Sequence, residues 1–446
     1  MSPLKYIFFS CGQIGIMTLN RFLLQWIVIF AATQVDGKML FPATAVGALL
    51  LGFRIFDGIT DPLAGRLSDV WIRKGRERRS LLWFSFLLPS IGLVLTFLPN
   101  HGMEPGMRWS LLALGMFLFF LGYTFYAIPY WSLIGDYAPD NFRRRRVFSN
   151  LLGSGTLIAT AIGFVVSPML VVGVGYTTAA VILGVLAVVI MALPYFAAPS
   201  DRFMPSKEDE SADAVAGVAG VAGAGPGAAS LTLMESLRVA IKHRRFLALI
   251  ALFSGSQMSF TIMTTAAPFI AIHLLNGTPG DVAKLLGPLL LVAIPCFLMV
   301  PRISARLGWE RGMVVGSIGL AVVYTSTAAL GVSLIGSPML TAGLLFALGG
   351  PMVAALLGLE AEGVVACASE SGGEHVIGIY MGIFNFVVKI LNGFAIFIAA
   401  ALVGYQEEVG VIAIRAMSFV AGGCLVLGVV LYYCARPPGS PDNQIN

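Results

Sequence analysis

Two aspartates, Asp57 and Asp61, stand in the otherwise apolar stretch AVGALLLGFRIFDGITDPLAGRL and are the residues of this chain best suited to chemistry. If the stretch is a helix, their spacing of four residues puts both carboxylates on one face. Arg54, three residues before Asp57, adds a cation to that face. Ionisable groups at membrane depth are costly, and they persist mainly where they face a cavity, pair with one another or bind a translocated ion. If the stretch crosses a bilayer, it therefore predicts a functional site inside a membrane helix.

The composition is that of a membrane protein. Of the 446 residues, 57% are hydrophobic and 11% are charged, whereas about a quarter of a soluble globular protein is charged. Apolar runs of about 20 residues, the length that crosses a hydrocarbon core, recur along the whole chain. These features predict an all-α polytopic membrane protein. We place twelve spans near residues 6–33, 43–65, 80–98, 109–134, 147–171, 176–197, 246–272, 283–303, 312–332, 338–358, 376–403 and 411–434.

The basic residues follow the loops and do not form one patch. The formal net charge of +5 could by itself suggest a nucleic-acid partner. If both termini are cytoplasmic, however, the cytoplasmic loops hold 21 of the 28 Lys and Arg, and the opposite loops hold four. This bias is the positive-inside signature of membrane proteins. It predicts cytoplasmic termini and no nucleic-acid partner, and the N-terminus lacks a cleavable signal peptide, so we expect a bacterial inner membrane.

The longest polar interruption divides the spans into two groups of six. It contains an acidic stretch, SKEDESAD, then a Gly-Ala tract of low complexity, then a basic amphipathic stretch, LMESLRVAIKHRR. We expect the basic stretch to lie on the cytoplasmic membrane surface, held by its apolar face and by anionic lipid. The predicted organisation is a six-helix bundle, a linker, a second six-helix bundle and a cytoplasmic tail, at residues 1–198, 199–245, 246–436 and 437–446.

A short basic turn, GRLSDVWIRKGRERR, follows the second span, and another, PRISARLGWER, follows the eighth. Their matching positions within the two groups of spans are expected of a duplicated unit. The first turn resembles the best-known motif of the major facilitator superfamily, which implies the two-bundle fold of that superfamily. It also implies a latch, in which the acid and the basic residues pair with neighbouring helix ends; the alternative is a solvated charged loop. The matching residues are Gly65, Asp69, Gly75, Arg76, Arg78 and Arg79.

Three further segments resemble the glycoside-pentoside-hexuronide:cation symporter family. RIFDGITDPLAG in the second span matches the family's arginine, its two aspartates and the proline after them, at Arg54, Asp57, Asp61 and Pro62. FNFVVKILNG in the eleventh span places Lys389 at the family's lysine position. YTFYAIPYWSLIGDYAPD, in the fourth span and the loop after it, matches the family at Tyr123, Thr124, Ile128, Pro129, Trp131, Ser132 and Leu133.

This resemblance implies a cation site on the second and fourth spans. Asp57 and Asp61 would supply charged oxygens, and Thr60 and Thr124 neutral ones, which are the ligands that hard cations such as sodium prefer. The same pair could carry a proton, since two carboxylates close together in a low-dielectric site repel each other. Lys389 would replace the cation when the site is empty. The alternative is a static ion-pair cluster that joins the two halves, at a desolvation cost that apolar packing avoids. We assign Arg54, Lys389, Asp69 and Asp136 to the charge network coupled to the site.

The chain departs from this family where a sugar would bind. In the best-known member of the family, aspartates of the first and fourth spans bind the sugar, and the corresponding positions here fall near Met17 and at Ala127. Two carboxylates that would accept hydrogen bonds from sugar hydroxyls are therefore missing. Sugar-like, anionic and amphiphilic substrates stay open as alternatives. The loop after the tenth span also lacks the family's aspartate pair and arginine, for which the candidate substitutes are Glu360, Glu362, Glu374 and His375.

The central cavity is predicted to be rather apolar and to include one positive charge, that of Arg21. If Arg21 faces the cavity, its guanidinium would suit a carboxylate, a sulfonate or another anionic headgroup. It could equally lie near a helix end and extend to the interface. The aromatic candidates can stack on sugar faces or on lipid chains. The candidate substrate contacts are Arg21, Gln25, Trp26, Tyr123, Tyr126, Ala127, Tyr130, Trp131, Gln257, Thr261, Thr264, Thr265, Tyr380, Asn385 and Asn392.

These residues favour a secondary active transporter over an enzyme. We expect a monomer, surrounded by membrane lipid, that performs cation-coupled symport of a small organic solute by alternating access. The coupling ion would be sodium or a proton, with Asp57 and Asp61 as the metal ligands in the sodium case, and no other cofactor is expected. The sequence has no nucleotide-binding loop, which argues against primary active transport. Three alternatives stay open: a proton-coupled exporter of drugs or metabolites, a lysolipid transporter on the same fold, and a receptor or scaffold that does not transport.

Overall fold

The computed structural model describes residues 3–35, 38–137, 142–197, 242–331, 337–372 and 377–436, and nearly all of them are helical. In lipid, every backbone polar group must find its partner within the protein, and a helix provides these partners within its own segment. The predicted linker and the predicted tail lie largely outside the described residues, as do Glu374 and His375.

The first half of the chain begins with four helices and a short hairpin. Helix α1 (Pro3–Ala31) leads into a short antiparallel hairpin, in which β1 (Gln34–Val35) pairs with β2 (Lys38–Met39). Helix α2 (Ala43–Arg73) contains the predicted acid pair. The next two helices are α3 (Arg78–Thr96), which begins with a 3-10 turn, and α4 (Pro105–Tyr137).

The helical stretch that follows is too long for one crossing. It runs over 51 residues, Val147–Ala197, which is about 77 Å at 1.5 Å per residue, whereas the hydrocarbon core is about 30 Å thick. Gly175 breaks the stretch with a φ of 80° and a ψ of 169°, a conformation that glycine adopts because it has no Cβ. We therefore divide it into α5, residues 142–174, and α6, residues 176–192. Helix α5 contains a π-helical turn, Ile162–Val166.

The second part of the chain repeats this arrangement. Another glycine of positive φ, Gly308, separates two helices within one continuous helical stretch. Counting both parts of each broken stretch, the described residues form twelve helices, which confirms the predicted all-α fold of two six-helix bundles. The second six are α7 (Arg244–Phe269, extended by the π-helical turn Ile270–Leu274), α8 (the 3-10 turn Pro279–Asp281, Val282–Phe297 and on to residue 307), α9 (residues 309–326), α10 (Pro338–Gly372), α11 (Ile377–Gly404) and α12 (Val411–Ala435).

Within each half, helices approach each other through small residues. A Cβ on Gly92 would lie 2.3 Å from the backbone nitrogen of Phe119, so α3 and α4 meet backbone to backbone. A Cβ on Gly255 would lie 2.4 Å from the carbonyl oxygen of Cys424, so α7 and α12 do the same. Close packing of this kind drives helix association in lipid, where the hydrophobic effect between helices is absent.

Among the described residues, the two halves meet mainly along three pairs of helices. Helix α2 packs against α11, α5 against α8, and α1 against α7. The contact between α2 and α11 extends from Gly47, beside Ala400, to Gly58, beside Phe386. Eleven residues of helix separate the two glycines, about 17 Å and hence roughly half of the hydrocarbon core. This long contact positions the candidate site.

We expect Gly255→Ala to destabilise the protein, because the added methyl group would overlap the backbone of α12. Overpacking of this kind costs about 1–3 kcal/mol. Gly423→Ala on α12 is the matched control, since a Cβ at Gly423 would meet nothing within 4 Å. Thermal melting of the purified variants measures the effect, and equal melting temperatures for the two would contradict the described packing.

Candidate cation and substrate site

One face of α2 carries the predicted ionic residues. Asp57 is completely buried, Arg54 is buried and Asp61 is half-buried. The Nη1 atom of Arg54 lies 3.4 Å from Oδ2 of Asp57. The Arg54 guanidinium also lies over the ring of Phe120, 5.2 Å from its centroid, within the range of a cation–π contact. The helix therefore presents one charged face inside an apolar bundle.

Lys389 of α11 contacts both acids across the boundary between the halves. Its Nζ lies 2.6 Å from Oδ2 of Asp61 and 3.2 Å from Oδ2 of Asp57. The ammonium also lies 5.6 Å from the centroid of the Tyr123 ring of α4. One cation from the second half thus contacts two acids from the first, and Arg54 supplies the second positive charge. The structure brings Arg54, Asp57, Asp61 and Lys389 into one ion cluster, and we keep that name for these four residues.

Two glycines let α11 come close enough to α2 for this contact. A Cβ on Gly393, one turn after Lys389, would lie 2.9 Å from Cβ of Arg54. A Cβ on Gly58 would lie 2.9 Å from the ring of Phe386. Larger residues at either position would push the helices apart and separate the ammonium from the carboxylates.

Two threonines add neutral oxygens to the acids. Thr124 of α4 donates a hydrogen bond of 2.6 Å to Oδ1 of Asp57. Thr60 Oγ1 lies 3.5 Å from Thr124 Oγ1, and Thr60 also donates to the backbone carbonyl of Phe56. The Oδ1 atom of Asp61 is buried and has no hydrogen-bond partner among the described residues. The cluster therefore contains an acceptor that a cation or a proton could use.

A cavity of about 130 Å³ lies beside the ion cluster and between the halves. Its wall includes Arg54, so the cavity and the ion cluster share one guanidinium. Helices α1, α2, α5, α7 and α11 contribute to the lining. The lining is mostly polar and includes two guanidiniums, so the prediction of a rather apolar cavity with one positive charge is wrong. Seven of the predicted substrate contacts line it: Arg21, Gln25, Gln257, Thr261, Thr264, Thr265 and Asn392.

Arg21 faces this cavity and does not extend to the membrane interface. Its stem packs against the π-helical turn of α5, where a Cβ on Gly163 would lie 2.9 Å from Cβ of Arg21. Arg21 has no ion-pair partner among the described residues, and its buried Nε has no hydrogen-bond partner there. Gln25, one turn later, is 3% exposed, and both atoms of its amide group also lack a described partner.

Three residues of the cavity wall were not among the predicted site residues: Asn20, Leu24 and Phe164. Leu24 carries no signal that separates it from the many other leucines of the chain. The Oδ1 atom of Asn20 accepts a hydrogen bond of 3.3 Å from Nη2 of Arg54, which links α1 to the ion cluster. Asn20 could have been recognised from the sequence, because an amide side chain inside an apolar span is uncommon. Phe164 lies in the π-helical turn, and no sequence signal distinguished it from the many other phenylalanines of the chain.

Three predicted aromatic contacts pack inside the first half and do not line the cavity. Trp26 donates from Nε1 to the hydroxyl of Ser167 on α5 at 2.8 Å. Tyr126 donates to the carbonyl of Met191 on α6 at 2.8 Å, and Tyr130 donates to a backbone carbonyl of α1. In this conformation their polar ends are satisfied by neighbouring helices.

Five further predicted contacts also lie outside the cavity wall. Trp131 donates to Oε1 of Gln13 at 2.8 Å, and the hydroxyl of Tyr380 lies 3.1 Å from Nδ1 of His243. Both contacts join helices within one half. We leave the following residues out of the proposed substrate contacts: Trp26, Tyr123, Tyr126, Ala127, Tyr130, Trp131, Tyr380 and Asn385.

The basic turn after α2 forms a second ionic group at one end of the first half. Arg78 contacts Asp69 at 3.2 Å and Asp136 at 3.3 Å, which joins the ends of α2, α3 and α4. Gly75, with a φ of 73°, makes the turn that brings Arg78 back to α2. Asp69 and Asp57 are twelve residues apart on one helix, about 18 Å. The predicted charge network is therefore two separate groups.

The second half contains a comparable group. Arg245 at the start of α7 contacts Glu310 of α9 at 2.7 Å and also pairs with Glu370 of α10. The hydroxyl of Tyr432 on α12 donates a hydrogen bond of 2.6 Å to Glu310. One arginine thus joins several helix ends in each half, as a duplicated unit would.

The chain matches the family model described as Major Facilitator Superfamily over residues 14–396. It is similar to the Putative glycoside/cation symporter YagG of Escherichia coli (strain K12), with 28% identity over 161 residues. The matched segment is 34% of this chain and 35% of YagG, so it spans about a third of that relative.

The fold is similar to those of solved transporters. The crystal structure of the nucleoside transporter NupG superposes with a TM-score of 0.64 at 13% identity, covering 97% of this chain and 99% of NupG. The crystal structure of an auto-inhibited POT family peptide transporter superposes with a TM-score of 0.69 at 14% identity, covering 100% of this chain and 99% of that one. At such identities the similarity shows the fold alone.

We expect Lys389→Met to destabilise the protein, because two acids at membrane depth lose their shared cation. Removing one partner of a buried ion pair typically costs about 3–5 kcal/mol. Asp61→Asn in the same chain should recover part of this loss, since one acid fewer then lacks compensation. Melting of wild type, both single variants and the double variant measures the coupling between the two side chains.

Lys284→Met is the control, because Lys284 is 67% exposed in its pair with Asp281. Purely additive effects of the two site substitutions would contradict the contact.

Proposed function

This chain belongs to the major facilitator superfamily, and on that basis we propose that this membrane transporter is a cation-coupled symporter of a small organic solute. The observation that carries the proposal is the contact of Lys389 with both Asp57 and Asp61 at the boundary between the halves. The similarity to YagG, whose name describes a glycoside/cation symporter, also supports it. The matched segment of YagG is too short to transfer its substrate.

A coupling cation would compete with Lys389 for the same carboxylates. Without the cation, the ammonium contacts both acids. With a cation bound between Asp57 and Asp61, repulsion between like charges would favour release of Lys389. Because the acids belong to α2 and the lysine to α11, release removes an ionic contact between the halves. Occupancy by the cation would therefore change which arrangement of the halves is stable.

The unpartnered oxygen of Asp61 supports exchange over a static cluster. A buried ion pair that serves stability alone needs good geometry and hydrogen bonds to its remaining atoms. Here Oδ1 of Asp61 is buried without such a bond among the described residues, while Thr60 and Thr124 place hydroxyl oxygens nearby. These ligands suit sodium, and a single carboxylate suffices for a proton.

The substrate would bind in the adjacent cavity, and its binding would be linked to that of the cation. Arg54 belongs to both places, since it lines the cavity and contacts Asp57. If the cation raises the affinity for substrate, the substrate must raise the affinity for the cation by the same factor. The proposed cycle is alternating access around this central site. The loop charge bias supports placement in a bacterial inner membrane with both termini in the cytoplasm.

Sodium itself serves as the probe for the cation site. Purified wild-type protein should melt at a higher temperature in sodium chloride than in choline chloride, because a ligand that binds only the folded state stabilises it. Asp57→Asn and Asp61→Asn should each abolish that difference. Asp281→Asn, which removes an acid at the start of α8, should keep it. A full sodium effect in both site variants would overturn the site, and a response of the wild type to acid pH alone would identify the proton as the coupling ion.

We also expect Lys389→Met to bind sodium more tightly than wild type, because the competing ammonium is gone. The sodium concentration that produces half of the melting shift should fall. Lys284→Met should leave that concentration unchanged, since Lys284 lies outside the ion cluster. A weaker response to sodium in Lys389→Met would contradict competition between the lysine and the cation.

A further inference from the structure

The cavity wall combines two guanidinium groups with no acid. Arg21 and Arg54 both reach the cavity, and none of the described residues that line it is Asp or Glu. From this we infer that the substrate is a compact organic anion, a carboxylate or a sulfonate, whose charged group binds between Arg21 and Arg54. This inference rests on the proposed function and names the substrate class of the same site.

One cation in this part of the bundle, that of Arg21, has no compensating charge among the described residues. The ion cluster contains Arg54 and Lys389 against Asp57 and Asp61, so its formal charges balance. Arg21 is the additional cation, and it has no ion-pair partner in the part of the chain that the structure describes. A charge held away from water is unfavourable unless a counter-charge reaches it. An anionic substrate supplies that counter-charge.

Gln25 adds hydrogen-bonding groups for an anion beside Arg21. Its side chain lies one helical turn from Arg21, on the same face of α1, and lines the cavity. It is 3% exposed, and neither its amide nitrogen nor its amide oxygen has a described partner. Buried amides normally satisfy their hydrogen bonds. The Gln25 amide and the Arg21 guanidinium can both donate to one carboxylate or sulfonate, and charge-assisted bonds of this kind are the stronger ones.

The backbone of α5 holds Arg21 in this position. Gly163 lies in the π-helical turn and lets the stem of Arg21 rest on it, since a Cβ there would come within 2.9 Å of Cβ of Arg21. Such turns occur frequently at functional sites. The side chain is therefore directed into the cavity by packing that comes from a different helix.

The size of the cavity limits the anion. A dry cavity of about 150 Å³ accommodates benzene, and the volume here is about 130 Å³. In this conformation the site therefore fits a molecule no larger than benzene, about six non-hydrogen atoms, and hence smaller than a disaccharide or a lysolipid. The wall opposite Arg21 carries hydroxyl and amide groups, among them Thr261, which donates to Asn392 at 2.9 Å. That wall suits a short polar group at the other end of the substrate.

Arg54 would transmit the arrival of the anion to the cation site. One of its nitrogens contacts Asp57 at 3.4 Å and the other contacts Asn20 at 3.3 Å. An anion in the cavity attracts the guanidinium and so weakens its contact with Asp57. The carboxylate then loses a competitor and binds the coupling cation better, which is the linkage that symport requires.

The test uses pairs of probes that have the same shape but differ in charge. Propionate is compared with propionamide, and methanesulfonate with methanesulfonamide, and galactose represents a neutral sugar. Each is titrated in sodium buffer while the melting temperature of the purified full-length protein is followed. We expect at least one anion to stabilise the wild type with at least about tenfold higher affinity than its neutral partner, because only the anion makes charge-assisted bonds. Stabilisation by the neutral compounds alone, or by none of the anions, would overturn the inference.

Three variants separate the site from general effects on folding. Arg21→Gln should lose the response to the anion, and Arg21→Lys should keep part of it. Gln25→Glu should fold, because the new carboxylate can pair with Arg21, and should also lose the response. Arg415→Gln is the control, since Arg415 of α12 donates to the carbonyl of Ala328 away from the cavity. An unchanged affinity for the anion in both Arg21→Gln and Gln25→Glu would refute the site.

Failure of this inference and failure of the proposed function give different results. If galactose but no anion stabilises the protein, and does so only with sodium, cation coupling holds and the anionic substrate is excluded. If an anion stabilises the protein through Arg21 without any effect of sodium, of pH or of Asp57→Asn, the anion site holds and the coupling is excluded.

Discussion

The arrangement of this transporter depends on one contact, that of the Lys389 ammonium with the carboxylates of Asp57 and Asp61. Charges at membrane depth are stable only when other charges or polar groups compensate them. Here the compensation crosses the boundary between the halves, so α2 and α11 must lie side by side. Glycines at that boundary make the approach possible. The same contact links the charge state of the site to the relative position of the halves, which is the link that the proposed coupling requires.

The polar residues of the membrane helices divide into two groups with different roles. Trp26, Tyr126 and Tyr130 hydrogen-bond to neighbouring helices of their own half, and these bonds hold the bundle together where water is absent. Arg21 and Gln25 have buried polar atoms without described partners, and they line the cavity. Buried polar groups are rarely left unpaired without a reason. The satisfied aromatics therefore belong to the scaffold, and the unsatisfied groups of Arg21 and Gln25 form the proposed ligand-binding surface.

The comparisons separate what the fold determines from what the site determines. A nucleoside transporter and a peptide transporter share this fold at 13% and 14% identity, so the fold by itself is compatible with very different cargo. In the proposed function, the ion cluster at the boundary between the halves would provide the coupling. The lining of the cavity, which is positively charged in this chain, would select the substrate. These two parts meet at Arg54, the one residue that belongs to both.

Much of the architecture followed from the sequence alone, because bilayer thickness sets the length of an apolar span and helical periodicity sets which residues share a face. The twelve spans and the common face of Arg54, Asp57 and Asp61 are of this kind. Only the tertiary structure decided that Arg21 faces the cavity, that Trp26 does not, and that Asn20 contacts Arg54. The physical reason is that a membrane helix is apolar toward lipid and toward its neighbours alike, so its periodicity does not reveal its rotation. That rotation is set by contacts between small residues of helices far apart in the chain, such as Gly163 beneath Arg21.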